Sequence, residues 1–369
     1  MAELTAISGL GGKLPAAFLL EISGRRLLFD LGEGPQPGVL PDMSGIGDVD
    51  AICLSHAHMD HAGALQLAAR IGNPPVYATA ATLRQIPLGI IGSARRRILP
   101  ARGEASIEGL VVTLGRSGHA PGGIWFHIAA DGGFLYTGDW SSESTLLPFD
   151  PPPPATCMVT DVSYGDRDSS LANQIDIIAT AAANGAVLPV PSGGRGPEMA
   201  LALTQRGLTV RVCPQVRSEM EDLAADTDDV IPPGQHRELS DFLAGAASSP
   251  DWQPGDVIVA AEANGEAGLS AELVSRRGDG FRFVFSSHVP AGTPAAGLLA
   301  AGKARWLPWN VHPRLRDTLR LAHETGARHI VPAFAGPEDM AILRKRLKNR
   351  LCMERTLRFG PAEPIEKTG

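Results

Sequence analysis

At 369 residues the chain is too long for one small core and is expected to form two domains, or one domain carrying a large insert. Its balance of 44% hydrophobic and 20% charged residues is that of an ordinary soluble globular protein, and its longest apolar runs are far too short to span a bilayer. A net charge of −7 argues against a protein that coats nucleic acid non-specifically, but not against one that grips phosphates in a local cleft.

The N-terminal stretch has no basic start followed by a pure apolar run, since Glu21 interrupts it, and no signal peptide is read there. From there the first half alternates short β-like runs with Gly-rich turns. Phe18–Ile22 and Arg26–Phe29 flank "SGR" and predict a hairpin. Further strands are expected at Val111–Leu114, Ile124–Ile128 and Phe134–Thr137, the last two joined by a turn at Asp131-Gly132-Gly133. "HAGALQLAARIG" reads as a helix ending at Gly72. The proline run 151–154 is a stiff connection. Beyond Asp168 the texture becomes βα alternation, which predicts a parallel sheet between helices, and the chain closes with helix, strand, helix. The cysteines Cys53, Cys157, Cys213 and Cys352 lie far apart with no CxxC pair, as expected of buried, reduced thiols in a cytoplasmic protein.

"LSHAHMDHAG", residues 54–63, crowds His56, His58, Asp60 and His61 onto one turn. Alternation sends His56 and His58 one way, and the tightening turn sends Asp60 and His61 another. Imidazoles with a carboxylate suit zinc, or less often iron or manganese, so two adjacent ions, each completed from distant loops, are the natural reading. His119 in "SGHAPGG" and Asp139 in "YTGDW" are the candidate partners, with Asp139 able to bridge both ions. Asp30, closing the strand "LLFD", is placed to orient a ligand imidazole.

With "LFDLGEG" before it and "SGHAPG" and "YTGD" after it, HxHxDH resembles the metallo-β-lactamase fold, a four-layer αββα sandwich. "CMVTDVSYGDR", "VLPVPSGGRGPEMALAL", "FRFVFSSHVPAGTPAAGLL" and "LPWNVHPRLRDTL" extend the resemblance, in order, to the β-CASP branch. That branch comprises nucleases, among them RNA-processing enzymes of the ribonuclease J and cleavage-and-polyadenylation endonuclease kinds. The resemblance implies an α/β chain in which 1–167 and 309–369 build the sandwich and 168–308 form an inserted β-CASP α/β domain.

It also implies a chemistry. His56, His58 and His119 would hold one ion, Asp60 and His61 the other, with Asp139 between them. The ions, one or two zinc with manganese an alternative at the second site, would hold a hydroxide and neutralise charge on the phosphate. His312 would protonate the leaving oxygen, and Asp161, where the family often has Glu, would hydrogen-bond that imidazole. Arg195, opening a helix, is a candidate phosphate contact, while His288, His323 and His329 have no assigned role. Arg95–Arg97 and the basic run 344–350 read mainly as solvated faces. One position departs from the family: the last ligand histidine is replaced by Phe334 in "VPAFAGPEDM". The expected activity is phosphodiester hydrolysis, with RNA favoured over DNA as partner, no membrane, and nothing against a homodimer. The rivals are a DNA nuclease, which the lost histidine would suit, and a weakened pseudo-nuclease that binds RNA or a partner protein. A small-ester or thioester hydrolase of the same fold would lack the insert.

Overall fold

In a computed structural model of the chain, all residues are described except Pro37, 246–250 and 362–369. Contacts divide the chain into two compact units, one made of 1–142, 149–168 and 312–369, the other of 143–148 and 169–311. Strands β1 (Ala2–Ser8), β2 (Ala17–Ile22), β3 (Arg25–Phe29), β4 (Ala51–Cys53), β5 (Val76–Thr79) and β6 (Arg96–Leu99) open the first unit. They are followed by β7 (Gly103–Ile107), β8 (Leu110–Arg116), β9 (Ile124–Ile128), β10 (Phe134–Tyr136) and β11 (Cys157–Asp161). The second unit holds β12 (Ala186–Val190), β13 (Val210–Val212), β14 (Val257–Ala261), β15 (Phe283–Phe285) and β16 (Ala304–Trp306). The chain then returns to the first unit as β17 (His329–Ala333) and β18 (Thr356–Phe359).

In the first unit, one sheet runs β18-β1-β2-β3-β4-β5-β6 and the other β17-β11-β10-β9-β8-β7. The expected hairpin is β2–β3, with Phe18 opposite Phe29 and a turn at Ser23-Gly24 whose positive φ angles suit a two-residue connection. Alternation along each strand decides the layers. Phe18, Leu20 and Ile22 of β2 meet Phe126, Phe134 and Val159 of the other sheet in a shared core. Ala17 and Leu19 point the opposite way, under Leu65, Ala68 and Leu83 of the covering helical segments. On the far face of the second sheet, Trp125, Leu135 and Met158 pack against Leu321 and Leu343 of the helices Leu315–Glu324 and Ala341–Leu347. Two sheets thus lie between two helical layers, the expected αββα sandwich. At its centre Phe29 stands 5.2 to 5.5 Å from the rings of Tyr136, Phe134 and Phe126, each such aromatic pair contributing about 0.5–1.5 kcal/mol beyond its burial.

One expected element is different. The helix read over 61–72 is a four-residue α-turn, Met59–Ala62, followed by a 3-10 stretch, Leu65–Ile71, that ends at a left-handed Gly72. The periodicity is present, but the backbone groups pair with other segments. Ala16 N–H donates to the Asp60 carbonyl and Leu31 N–H to the His61 carbonyl, both at 2.8 Å, and the Ala64 N–H that would continue the ladder from Asp60 donates to the Leu31 carbonyl instead, at 2.9 Å.

The second unit is a parallel sheet in the order β13-β14-β12-β15-β16, as the alternating texture predicts. Its core gathers Val187, Ile258 and Phe285 of the strands with Leu273 and Leu298 of the helices Gly268–Ser275 and Pro294–Ala300. Ser170 and Thr293 cap helices through their hydroxyls. Buried Glu198 accepts hydrogen bonds from Ser144, Thr145 N–H and the Trp309 indole, which ties 143–148 and the end of the segment to the helix Arg195–Gln205. Among the described residues no helix is long and apolar enough to cross a membrane.

Candidate metal centre

In the first unit β10, β11 and β17 run parallel and in register, Tyr136 beside Val159 and Asp161 beside Ala333. Their carboxyl ends deliver Asp139, Asp161 and Phe334 to one edge of the sandwich. The histidine turn arrives there from β4 of the facing sheet.

Two glycines let these loops approach. Gly138 (φ +53) stands where a Cβ would lie 2.4 Å from the Ser55 side chain, and Gly118 (φ +70) where it would lie 2.1 Å from the Ser141 carbonyl. The first seats the Asp139 turn against the histidine turn. The second closes the loop carrying His119.

The ligand atoms converge. His58 Nδ1 is 3.1 Å from both His56 Nε2 and His119 Nε2. Asp139 divides its oxygens: Oδ2 lies 3.4 Å from His119 Nε2, 3.9 Å from His56 Nε2 and 3.6 Å from His312 Nδ1, while Oδ1 lies 3.1 Å from His61 Nε2. Three sets of atoms mutually within 4.8 Å follow: His56, His58 and His119; His56, His61 and Asp139; His119, Asp139 and His312. Asp60 belongs to none of them. Burial would raise its pKa, but His61, His58 and His312 hold its carboxyl below the usual range, so it lies within the field of the site.

Beneath the ligands sits Asp30, fully buried, its backbone at φ +58. It accepts from Ser55 N–H at 2.7 Å, Ser55 Oγ at 2.6 Å, Tyr136 OH at 2.6 Å and His61 Nδ1 at 2.7 Å. A proton on His61 Nδ1 leaves Nε2 to face Asp139. The hydroxyls of Ser55 and Tyr136 are site residues that the sequence did not point out. A serine and a tyrosine at strand ends look like any other core positions, and only their place beside Asp30 reveals them.

His312 stands at the rim with its Nδ1 2.8 Å from Asp161 Oδ2, and Asp161 Oδ1 accepts from Ser163 N–H at 2.8 Å. Burial works to lower the His312 pKa, but Asp161 and Asp139 outweigh it and raise it. The Tyr164 ring meets His312 edge-on at 5.0 Å, with the Arg167 guanidinium over its face.

The donor set fits a divalent cation. Burial, then the neighbouring imidazoles, hold His56 well below its usual pKa, and burial lowers His58 against Asp60 and Asp139, so both offer neutral lone pairs. His61 goes the other way: burial would lower it, but Asp139 and Asp30 raise it well above its usual value. The positive charge these carboxylates stabilise can be a proton or a cation. Asp139 Oδ1, buried, has no hydrogen-bond donor aligned on it. Such an oxygen among lone pairs calls for a positive charge.

The remaining sequence candidates have other partners. Arg195 Nη1 donates to Ser287 Oγ at 2.7 Å in the second unit, and His288 is exposed there. His329 neighbours Cys352, with Sγ 3.8 Å from Nδ1. Arg96 gives its guanidinium to the carbonyls of Leu83, Ile86 and Ile91, and Arg350 to those of Ala322 and Ala327. These two arginines hold loops together.

The metallo-beta-lactamase superfamily profile matches residues 10–182, and the chain carries a metallo-β-lactamase domain. Its relatives include a ribonuclease, TTHA0252 of Thermus thermophilus, 32% identical over 179 residues that cover 41% of each chain. The transcription termination factor FttA of Methanosarcina mazei is 25% identical over 55% of this chain and 39% of its own length. A ribonuclease Z of Clostridioides difficile is 38% identical over 20% of this chain and 26% of its own. The chain thus spans about two fifths of the first two relatives. A solved protein of unknown function from Enterococcus faecalis shares the fold at a TM-score of 0.56 with 13% identity, over 92% of this chain and 95% of that one.

Proposed function

We propose that this chain is a metal-dependent nuclease of the β-CASP kind that hydrolyses phosphodiester bonds in RNA, the second unit being its insert. One observation carries the reading: Asp139 faces two sets of histidines with its two oxygens, beside a histidine braced by its own carboxylate. The ribonuclease names of the relatives support RNA as the substrate.

His56, His58, His119 and Asp139 would hold one ion, zinc by the chemistry of the donors. His61 and the second oxygen of Asp139, with Asp60 nearby, would hold the other, zinc or manganese. An ion bound there supplies positive charge against the phosphate and lowers the pKa of a water. His312 holds a proton that it can give to the leaving oxygen, and Asp161 fixes its ring and favours its charged form. Asp30 fixes His61 through Nδ1. The free, buried cysteines accord with a cytoplasmic setting.

A second reading, a DNA nuclease or a weakened enzyme, is favoured by Phe334, whose ring lies against His61 where the family's last ligand histidine is expected. Labelled single-stranded RNA and DNA, incubated with purified protein and zinc or manganese, separate the two. Cleavage of RNA is expected. Cleavage of DNA alone would replace this reading by the second, and cleavage of neither would remove it.

A further inference from the structure

The loop joining β1 to β2 reads Gly9-Leu10-Gly11-Gly12-Lys13-Leu14-Pro15-Ala16, and both its feet are tied to the metal centre. At one foot Leu10 bridges Ala333, and Phe334 N–H donates to the Gly9 carbonyl at 2.8 Å. At the other, Ala16 N–H donates to the Asp60 carbonyl at 2.8 Å and the Ala16 carbonyl accepts from Gly32 N–H at 2.9 Å. The tip therefore stands on the rim, between the end of β17 and the histidine turn. It is open there: a Cβ on Gly11 would meet nothing within 4 Å, and one on Gly12 only Leu14 at 3.9 Å. Lys13 is exposed and has no hydrogen bond or ion pair with a described residue. Its charge nevertheless reaches His312, where it opposes proton uptake.

We propose that Lys13 is a substrate-binding residue whose ammonium takes a phosphate of the nucleic-acid strand beside the scissile bond. This rests on the phosphodiester reading. Three facts favour a phosphate partner. The chain is acidic overall, so a polyanion needs a local cation to approach. Lys13 is exposed at the rim beside the histidine turn, where a strand entering the site would pass, and no described carboxylate pairs with its ammonium. A point charge on a flexible stem, carried by a glycine-rich loop, can follow a strand whose backbone bends, where a rigid guanidinium fork would demand one geometry.

The test compares wild type with Lys13→Ala, Lys13→Arg and Lys13→Glu on a labelled single-stranded RNA across a salt series. Binding of the same RNA to chelator-treated protein gives a readout free of turnover. Lys13→Ala should raise KM several-fold with kcat and metal content unchanged. Its plot of log KM against log salt should flatten by about 0.7, the share of one phosphate contact on a single strand. Lys13→Arg, which keeps the charge but not the compact ammonium, should recover only part of the loss, Lys13→Glu should deepen it, and the chelated proteins should rank in the same order. If wild type cuts RNA and Lys13→Ala keeps its KM, salt slope and binding, the inference is overturned while the nuclease reading stands. A fall in kcat alone would overturn it too. If wild type neither binds nor cuts RNA, the phosphodiester reading fails and this inference with it.

Discussion

The Phe334 ring packs edge-on against the His61 imidazole, centroids 5.1 Å apart at 67°, and lies 6.2 Å from the Phe18 ring. Phe334 also holds φ at +69°, where a bulky side chain is strained. A phenyl ring offers no lone pair, so an ion proposed on the His61 side would be left with His61, one oxygen of Asp139 and whatever Asp60 and water supply. That ion should bind weakly and exchange, and activity should rise on added manganese or zinc. Phe334→His should raise metal content towards two per chain and increase cleavage, at a packing cost beside Phe18 of about 1–3 kcal/mol. Elemental analysis after dialysis checks it. Two firmly held ions in wild type would end the argument.

An ion on the other side would depend on His56 and His58. A His56→Ala/His58→Ala double variant should lose most of the metal that wild type retains through gel filtration. Wild type treated with chelator should melt at a lower temperature and recover when metal is returned, because an ion that binds only the folded chain stabilises it by mass action. Equal metal in both proteins would remove the basis for placing an ion here.

His312 is predicted to act on the proton and not on the metal. His312→Ala should lower turnover by roughly 10²–10⁴-fold while metal content stays unchanged. Asp161→Asn should share part of that loss, since it removes the carboxylate 2.8 Å from Nδ1 and leaves the ligands alone. Loss of metal in His312→Ala would instead make His312 a ligand, a role its place 3.6 Å from Asp139 Oδ2 would allow.

What could be read in advance follows from how far apart the interacting residues lie. The β2–β3 hairpin and the parallel sheet of the second unit have local signatures, alternation and turn residues, and both are present. His56, His58 and His61 stand close in the chain and announce themselves as a cluster. Asp30 could be singled out because an aspartate ending an apolar strand is conspicuous. Ser55 and Tyr136 could not, since their hydroxyls matter only through a carboxylate 25 and 106 residues away. The expected helix over 61–72 gives way for a related reason: Ala16 and Leu31 pair with its carbonyls and with the Ala64 N–H, and no window on the helix contains them. Lys13 carries no local signature, standing alone in a glycine-rich loop. Its position comes from the feet of its loop.

The last prediction concerns the strand that carries the His119 loop. Arg116, at the end of β8, gives Nε and Nη2 to Asp150 at 2.8 and 2.9 Å, and its N–H to the same carboxylate at 3.0 Å. The next residue, Ser117, bridges Phe149, so this pair sits at the base of the turn that presents His119. Burial works to raise the Asp150 pKa, but the hydrogen bonds and charge of Arg116 outweigh it and hold the carboxyl below its usual range. A carboxyl lowered by folding stabilises the protein above its unfolded value of 3.8, and that contribution is lost as pH falls through the lower folded value. Both side chains are less than a third exposed, so Asp150→Asn should cost about 1–3 kcal/mol near neutral pH. Urea unfolding of both proteins at pH 7 and at a series of values below 4 should show the difference shrinking as the carboxyl protonates, whatever the remaining acidic groups do. The variant should also hold its metal less firmly at pH 7, through a looser His119 turn. A stability difference that stays constant down to acid pH would mean that the carboxylate's charge contributes nothing there, and that shape alone holds the base of the turn.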